Sequence, residues 1–118
     1  MKEVPFNCGM EAVLDLVGGK WKLLILYHLI QGRQLRFSEL KRVIGNVSEK
    51  MLSQQLKEMA NDSLVQRIDF RTVPPHVEYA LTSFGKDLAK TFQPVCAWGA
   101  SNMEEIGAIS SARSDRRA

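Results

Sequence analysis

The feature that most constrains the fold is the stretch from Arg36 to Thr82, where two helical patterns are followed by a hairpin pattern. Ser38 is predicted to cap the first helix. Gly45-Asn46 is predicted to form a tight turn, because both residue types tolerate positive φ. Ser48 is predicted to cap the second helix, with Glu49 in its first turn to complement the helix dipole. This order of elements is typical of a helix-turn-helix.

The hairpin pattern begins at Leu64 and alternates as far as Thr72, with mostly apolar residues on one side, as in a half-buried strand. Val73-Pro74-Pro75 cannot continue a ladder of hydrogen bonds and is predicted to form the loop. The return strand carries alternating apolar residues between Val77 and Leu81. A hairpin directly after a helix-turn-helix indicates the winged form of that motif, whose second helix enters the major groove of DNA.

The second helix, from Ser48 to about Asn61, has two distinct faces. Apolar residues at spacings i, i+4 and i+7 are predicted to face the core: Leu52, Leu56 and Met59. Another face carries hydrogen-bonding side chains, with Glu49 and Glu58 off it: Lys50, Ser53, Gln54 and Lys57. Because lysine can donate to guanine and glutamine can bond adenine, this second face is predicted to read bases. The alternative is the solvated face that any surface helix has.

Arg71 and His76 flank the loop of the hairpin, and both are predicted to reach phosphates or a minor groove. For Pro74-Pro75 the alternative interpretation is a rigid turn. For His76 alone, the alternative of an exposed loop residue without a DNA contact is favoured.

Helical patterns also lie on both sides of this stretch. Residues 8–17 carry apolar residues at helical spacing, with Asn7 as the predicted N-cap. Thr82 is predicted to cap a long last helix, which Pro94 should kink because proline lacks the amide hydrogen that a helix needs. The apolar residues of this last helix recur about every seven positions, so one face is expected to pack against a partner helix.

The fold class is therefore predicted to be α+β and mainly α, a winged helix-turn-helix with N- and C-terminal dimerisation helices. A chain of 118 residues is expected to form one domain, at residues 1–109, with the DNA-binding core at 20–82. The dimerisation helices are predicted at 8–17 and 83–108. Residues 110–118 are predicted to form a flexible basic tail.

Composition narrows the functional classes. The net charge of +3, from 16 Lys+Arg against 13 Asp+Glu, permits nucleic-acid binding without requiring it. No apolar run approaches the roughly 18 residues of a membrane span, and no signal-peptide pattern is present, so a cytoplasmic location is expected. Two cysteines are too few for a cysteine-based zinc site, and no catalytic pair can be placed. We therefore expect no metal, no cofactor and no enzymatic activity.

Several motifs occur in a fixed order from Cys8 to Trp98. They are Gly18-Gly19-Lys20-Trp21 with Leu24-Ile25-Leu26, Arg36-Phe37-Ser38-Glu39-Leu40, Ser48 to Lys57, Pro74-Pro75-His76-Val77-Glu78-Tyr79-Ala80-Leu81-Thr82 with Gly85, and Trp98-Gly99. Together they resemble the HxlR-type winged helix-turn-helix regulators of bacteria. The resemblance implies a dimeric transcription regulator whose dimer contacts come from the N- and C-terminal helices.

The resemblance also implies which residues meet DNA. The residues expected to enter the major groove are Ser48, Lys50, Met51, Ser53 and Gln54, while the wing meets the flanking backbone. Arg36 and Ser38, at the start of the preceding helix, are expected to belong to the same DNA-binding set. The family usually has Asp-Gly before the wing strand, where this chain has Asp62-Ser63. Because glycine suits the left-handed conformation that ends many helices, Ser63 is expected to be strained unless the turn differs.

Control of binding is predicted to come from the flanking helices. Some members of the family sense oxidants or electrophiles through the N-terminal cysteine. The family often has Cys-Pro near the start, where this chain has Cys8-Gly9, and this difference weakens the transfer of that function to Cys8. A helix N-terminus can lower a thiol pKa, which makes Cys8 a candidate redox or quinone sensor. The alternative is a small buried residue in the dimer interface. Cys96 is predicted to lie in the core.

A small-molecule effector is a second candidate for control. Its pocket would be apolar and lined by Trp21, Phe92 or Trp98, with core packing as the alternative for each aromatic side chain. The sequence as a whole predicts a sequence-specific DNA-binding transcriptional regulator that acts as a homodimer on a pseudo-palindromic operator. The competing hypothesis is a winged-helix protein-interaction module without specific DNA binding.

Overall fold

The structure, a computed structural model, describes residues 3–117 of the chain. Over this range the protein is mainly helical with one small sheet, as predicted. The elements are α1 (Gly9–Val17), α2 (Lys20–Gly32), β1 (Gln34–Arg36), α3 (Phe37–Ile44), α4 (Glu49–Asn61), β2 (Val65–Asp69), β3 (Val77–Leu81), α5 (Ser83–Thr91), α6 (Gln93–Ser101) and α7 (Met103–Arg117). Helices α3 and α4, followed by the β2–β3 hairpin, form the winged helix-turn-helix.

The sheet is antiparallel in the order β1-β3-β2, so the return strand of the wing is its central strand. Tyr79 on β3 pairs with Leu35 on β1 and with Arg67 on β2. Strand β1 ends at Arg36, and Phe37 already begins α3. Strand β1, which pairs with β3, therefore connects the start of α3 directly to the wing.

One hydrophobic core joins the helix-turn-helix to α2, the sheet and α5. The residues buried in it are Val17, Ile25, Leu26, Leu29, Leu40, Val47, Leu52, Leu56, Met59, Leu64, Val65, Leu81 and Ala89. Helix α1 contributes Val17, with Val13 and Leu16 half-buried against the core. Met10 and Leu14, which the sequence places on the same apolar face, are 67% and 58% exposed. Helix α1 therefore keeps apolar side chains on its outer surface.

The turn between α3 and α4 depends on Gly45. Its φ is +91°, in the region that favours glycine, and its N–H donates to the Lys41 carbonyl at 2.9 Å. This closes α3 and turns the chain toward α4, as the Gly45-Asn46 pattern predicts.

Two predicted N-caps are wrong by one or two positions. Helix α1 begins after Cys8 rather than Asn7, and the Cys8 carbonyl accepts the N–H of Ala12 at 3.3 Å. Helix α3 begins after Arg36 rather than at Ser38, because the Glu39 carboxylate accepts the Arg36 N–H at 2.8 Å. This bond is the reciprocal half of a capping box, so the carboxylate fixes the helix start and leaves Ser38 exposed in the first turn.

The connection from α4 to the wing is compact. Ser63 has φ +62°, the left-handed conformation for which the family usually provides glycine, so the expected strain is present. The Leu64 N–H then returns to the Met59 carbonyl at 2.8 Å. Thr82 caps α5 as predicted: its Oγ1 accepts the Gly85 N–H at 2.9 Å and donates to the Ser63 carbonyl at 2.6 Å. One side chain therefore joins the end of α4 to the start of α5.

The predicted long last helix is three helices. Breaks fall at Phe92 and Asn102 rather than as a single kink at Pro94. Pro94 lies in the first turn of α6, where a missing N–H costs no helical hydrogen bond. Residues 110–117, predicted to be a flexible tail, continue α7 as helix, and Ala118 lies outside the described residues.

Candidate nucleic-acid interface

The second helix of the motif, α4, begins with a side-chain cap. The Ser48 Oγ accepts the N–H of Met51 at 3.0 Å, as predicted. Glu49 lies in the first turn, where a negative charge complements the helix dipole. Ser48 and Glu49 are both exposed, so the N-terminal end of α4 is open to solvent.

The rotation of α4 about its axis is fixed by its apolar side. Leu52, Leu56 and Met59 are at most 1% exposed, which confirms the predicted core face. The polar side chains at the other predicted positions are all exposed, and we call them the reading face: Lys50, Ser53, Gln54 and Lys57. The structure brings these four onto one open helix surface, while their contact with DNA stays a prediction.

Met51 differs from the reading face. It is half-buried and packs against the core, and its Sδ accepts a hydrogen bond from Gln55 Nε2 at 3.5 Å. A side chain held in this way has less freedom to reach a base than Lys50 or Gln54.

Glu58 lies closer to the reading face than the sequence indicates. The Gln54 Nε2 donates to Glu58 Oε2 at 3.3 Å, and Lys22 Nζ on α2 lies 2.8 Å from Glu58 Oε1. The hydrogen bonds from Lys22 and then from Gln54 hold the pKa of the Glu58 carboxyl below its ordinary value of 4.5. The prediction that Glu58 stands apart from this face is therefore wrong, because a glutamate one turn later reaches back to residue i−4.

A shallow cleft separates α3 from the start of α4. Its lining residues are Phe37, Ser38, Lys41, Arg42, Gly45 and Glu49. Ser38 is thus near the open N-terminus of α4, although it caps no helix. Lys41 and Arg42, in the last turn of α3, were not predicted as DNA-binding residues, and they add positive charge beside that N-terminus. Their spacings of three and four residues from Ser38 were the signal that could have found them.

His76 lies at the loop end of the wing, directly before β3, and it contacts three other side chains instead of being the free loop residue that the sequence favoured. Its ring centroid lies 4.4 Å from that of Phe70, and its Nε2 lies 2.6 Å from Glu78 Oε2. The guanidinium of Arg36 approaches both ring nitrogens at 3.2 Å. The side chain is half-buried as a result. Two predicted DNA-binding residues, Arg36 and His76, are therefore held together at one point.

Glu78 completes this junction on β3. Gln34 Nε2 on β1 donates to Glu78 Oε1 at 2.9 Å. The hydrogen bond from Gln34, followed by that from His76, lowers the pKa of the Glu78 carboxyl from its ordinary value of 4.5. Neither residue was singled out from the sequence, because their meeting depends on the β1–β3 register that pairs Gln34 with Ala80 and Arg36 with Glu78.

The tip of the wing is open to solvent. Strand pairing ends at Asp69, earlier than the predicted Thr72, and the Asp69 carboxylate accepts the Arg71 N–H at 2.8 Å. Arg71 is exposed with φ +54°, and Val73 is 98% exposed. The structure therefore leaves Arg71 free to meet a ligand beside the hairpin, whereas His76 is engaged within the protein.

Both cysteines are free thiols and both are exposed. Cys8 occupies the N-cap position of α1, without a side-chain hydrogen bond to the helix. The prediction that Cys96 lies in the core is wrong, since α6 buries none of its residues.

An apolar groove of about 680 Å³ runs between α2 and the C-terminal helices. Its lining includes Tyr27, Phe92, Val95, Cys96 and Met103. Of the aromatics proposed for an effector pocket, Phe92 lines this groove. Trp21 packs half-buried against the core, while Trp98 is 63% exposed, so neither core packing nor the groove accounts for Trp98.

Within residues 3–117 the structure shows no cluster of three or more His, Cys, Asp or Glu side chains that could hold a metal ion. In the same part of the chain, no helix is both long enough and apolar enough to cross a membrane.

Comparison with known proteins agrees with the architecture. The sequence model of the family described as HxlR-like helix-turn-helix matches residues 16–107. The chain is 43% identical over 106 residues to the uncharacterized HTH-type transcriptional regulator YtcD of Bacillus subtilis, covering 90% of this chain and 83% of that protein.

Two solved structures are similar as well. The redox regulator HypR in its oxidized form has a TM-score of 0.75 and 42% identity, covering 80% of this chain and 97% of HypR. The reduced form of the transcriptional regulator YodB from B. subtilis has a TM-score of 0.68 and 36% identity, covering 80% of this chain and 92% of YodB. The chain therefore belongs to the HxlR-like helix-turn-helix family of transcriptional regulators.

Proposed function

We propose that the protein is a transcriptional regulator that binds a specific DNA sequence as a homodimer. The observation that carries this proposal is the orientation of α4. Burial of Leu52, Leu56 and Met59 turns the reading face to solvent at the exposed end of a helix-turn-helix. Side chains that donate and accept hydrogen bonds are what the major groove requires of a reading helix.

Each part of the surface has a distinct role in this proposal. Lys50 and Gln54 contact base edges, while Ser48 and the open N–H groups of α4 meet a phosphate. Arg71, exposed beside the wing loop, contacts the flanking backbone. Arg36 and His76 hold the wing against β1, with the guanidinium at the edge of the contact surface.

The dimer is proposed to form through the terminal helices. Neither α6 nor α7 buries a single residue completely, and isolated helices of this length are marginal in water. Large exposed apolar side chains are concentrated on α1, α6 and α7: Met10, Leu14, Val95, Trp98, Met103, Ile106 and Ile109. Such a surface is typical of an interface between subunits. A two-fold dimer would place two α4 helices on half-sites about one helical turn, roughly 34–36 Å, apart.

Selection of binding sites from a random-duplex library tests the proposal. The protein should enrich a pseudo-palindromic sequence, and its affinity should fall steeply with salt as phosphate contacts release counterions. Lys50→Ala and Gln54→Ala should each relax the preference at one position per half-site, costing about 1–3 kcal/mol. Lys86→Ala, at an exposed lysine on α5, serves as the charge-matched control for Lys50→Ala.

The competing hypothesis, a protein-interaction module, makes the opposite prediction for the same experiment. No sequence would be enriched, and duplex affinity at low salt would be unmeasurable. Either result would remove the reading face from the mechanism.

We further propose that operator binding responds to thiol oxidation at Cys8. The thiol is exposed at the start of α1, and the same helix carries Met10 and Leu14 on the proposed dimer surface. The similar protein HypR is named as a redox regulator. Operator affinity should change on treatment with a thiol oxidant in the parent and in Cys96→Ser, and stay constant in Cys8→Ser. Equal affinities in all three proteins, with and without oxidant, would contradict this role.

A further inference from the structure

The side chain of Gln54 is oriented by a short relay of two side chains, Lys22 on α2 and Glu58 on α4. Lys22 Nζ contacts one carboxylate oxygen of Glu58 at 2.8 Å, and the other carboxylate oxygen accepts from Gln54 Nε2 at 3.3 Å. The Lys22 side chain extends from α2 and is only 13% exposed, whereas the Glu58 side chain that it contacts is 42% exposed. Gln54 itself is exposed on the reading face.

The chemistry of these groups fixes which end of the Gln54 amide points outward. A lysine can only donate, and a carboxylate can only accept. The nitrogen of Gln54, not its oxygen, must therefore face Glu58. The amide oxygen and the second N–H hydrogen remain available on the side away from Glu58.

We propose that Glu58, held by Lys22, is a positioning residue that sets the base preference of Gln54. The proposal deepens the proposed function and rests on it. An amide held in this orientation presents one acceptor and one donor, the pair that matches the N6 amino group and N7 of adenine. A freely rotating amide could equally present its two N–H donors to the N7 and O6 acceptors of guanine.

A glutamine at position 58 supplies a sharp test. In Glu58→Gln, Lys22 would take the side-chain oxygen, because lysine has no acceptor. The new amide nitrogen would then face Gln54 and draw the Gln54 oxygen toward it. Gln54 would present N–H donors to the groove, and the preference should move from adenine toward guanine. Glu58→Ala removes the relay and should leave Gln54 free to adopt both orientations.

The experiment uses the full chain and the operator that the parent protein selects. Dissociation constants are measured for all four bases at each half-site position, with the parent, Gln54→Ala, Glu58→Ala, Glu58→Gln and the double variant Gln54→Ala/Glu58→Ala. Asp87→Ala, which removes an exposed carboxylate on α5, controls for the change in net charge. Thermal unfolding of every variant shows that each is folded.

The parent should prefer adenine at the position that Gln54→Ala relaxes. Glu58→Ala should reduce that preference about fivefold, the factor that a hydrogen bond of ordinary net strength contributes. Glu58→Gln should shift it toward guanine, and the double variant should match Gln54→Ala at that position. A relay that serves only stability would lower the unfolding temperature without changing the size of the preference or the order of bases.

The outcomes separate the two proposals. If the parent selects no sequence, the proposed function fails. If the parent selects an operator and Gln54→Ala relaxes one position, but both Glu58 variants keep the parental preference for adenine in size as well as in order, the positioning role alone is overturned. If Gln54→Ala changes the base preference at no position, Gln54 contacts no base that Glu58 could help to select, and the inference is likewise overturned.

Discussion

Arg36 and His76 lie 40 residues apart in the chain, yet the guanidinium of one lies 3.2 Å from both ring nitrogens of the other. The contact joins the start of α3 to the loop end of the wing, where β3 begins. Glu78 adds a carboxylate to this junction, with its Oε2 2.6 Å from His76 Nε2. The wing is therefore attached to the helix-turn-helix by side chains as well as by the sheet.

Glu78→Gln should destabilise the protein in a pH-dependent way. The pKa of Glu78 is lowered in the folded state, first by the hydrogen bond from Gln34, so the folded protein favours the ionised carboxylate. That stabilisation is complete above the ordinary value of 4.5 and is lost as the pH falls through the lower folded value. The difference in the free energy of unfolding between parent and variant should be greatest near neutral pH and decline in acid.

Urea unfolding at a series of values between about pH 7 and pH 3 measures this difference. In a Gln34→Ala background, where the leading hydrogen bond is absent, the pH dependence should be smaller. A difference that stays constant over the whole range would show that Glu78 gains nothing from its partners.

Ser63→Gly should stabilise the protein by about 1 kcal/mol. Ser63 has φ +62°, where a β-carbon is unfavourable, and glycine removes this strain at a smaller cost in the entropy of the unfolded chain. The unfolding temperature should rise by roughly 3–5 °C. Asp62→Gly is the matched control: its φ is −88°, so glycine there brings no relief and should not stabilise. Equal effects of the two substitutions would argue against strain at Ser63.

Gly85→Ala should destabilise the protein by about 1–3 kcal/mol. A β-carbon at Gly85 would overlap the carbonyl oxygen of Leu64, a backbone atom that cannot move without disturbing the start of the wing. Gly107→Ala, on α7, has nothing within 4 Å of the added carbon and should be neutral or stabilising. Thermal unfolding compares the two, and a Gly85 variant as stable as the parent would mean that α5 lies farther from Leu64.

Trp98→Asp should weaken self-association by roughly tenfold or more, because a buried aromatic side chain commonly dominates an interface. Trp98 is 63% exposed on α6, a helix without a buried residue of its own. Sedimentation equilibrium gives the dissociation constant of the dimer. Val73→Asp, at a wing-tip position that is 98% exposed, adds the same charge away from the terminal helices and should leave association unchanged. A parent protein that sediments as a monomer would contradict the proposed dimer surface.

Periodicity predicted α4 well, because its two faces have opposite chemistry over the whole helix. Leu52, Leu56 and Met59 are buried at the predicted spacing, and Ser48 caps the helix where the hydroxyl can accept an N–H. These features are local, so the sequence contains the information that determines them.

The C-terminal region was predicted poorly for the opposite reason. Its apolar repeat runs through Phe92 and Asn102 without interruption, but tight turns end the helices there. The Phe92 N–H donates to the Ala89 carbonyl at 3.1 Å, and Asn102 Nδ2 donates to the Trp98 carbonyl at 2.8 Å. A backbone carbonyl near each break is therefore hydrogen-bonded. The contacts Arg36–His76 and Lys22–Glu58 were not predicted either. Strand register creates the first contact and helix packing creates the second, and neither can be read from local sequence.

The Thr82 hydroxyl bonds both the Ser63 carbonyl after α4 and the Gly85 N–H in the first turn of α5. These two bonds fix the angle between α4 and α5. The Thr82 N–H also donates to the Leu64 carbonyl at 3.1 Å, so the joint is braced along its backbone as well. A tilt of α5 must carry the end of α4 with it. In a dimer that forms through the helices after α5, the angle between the two subunits would therefore determine the distance between their two reading faces.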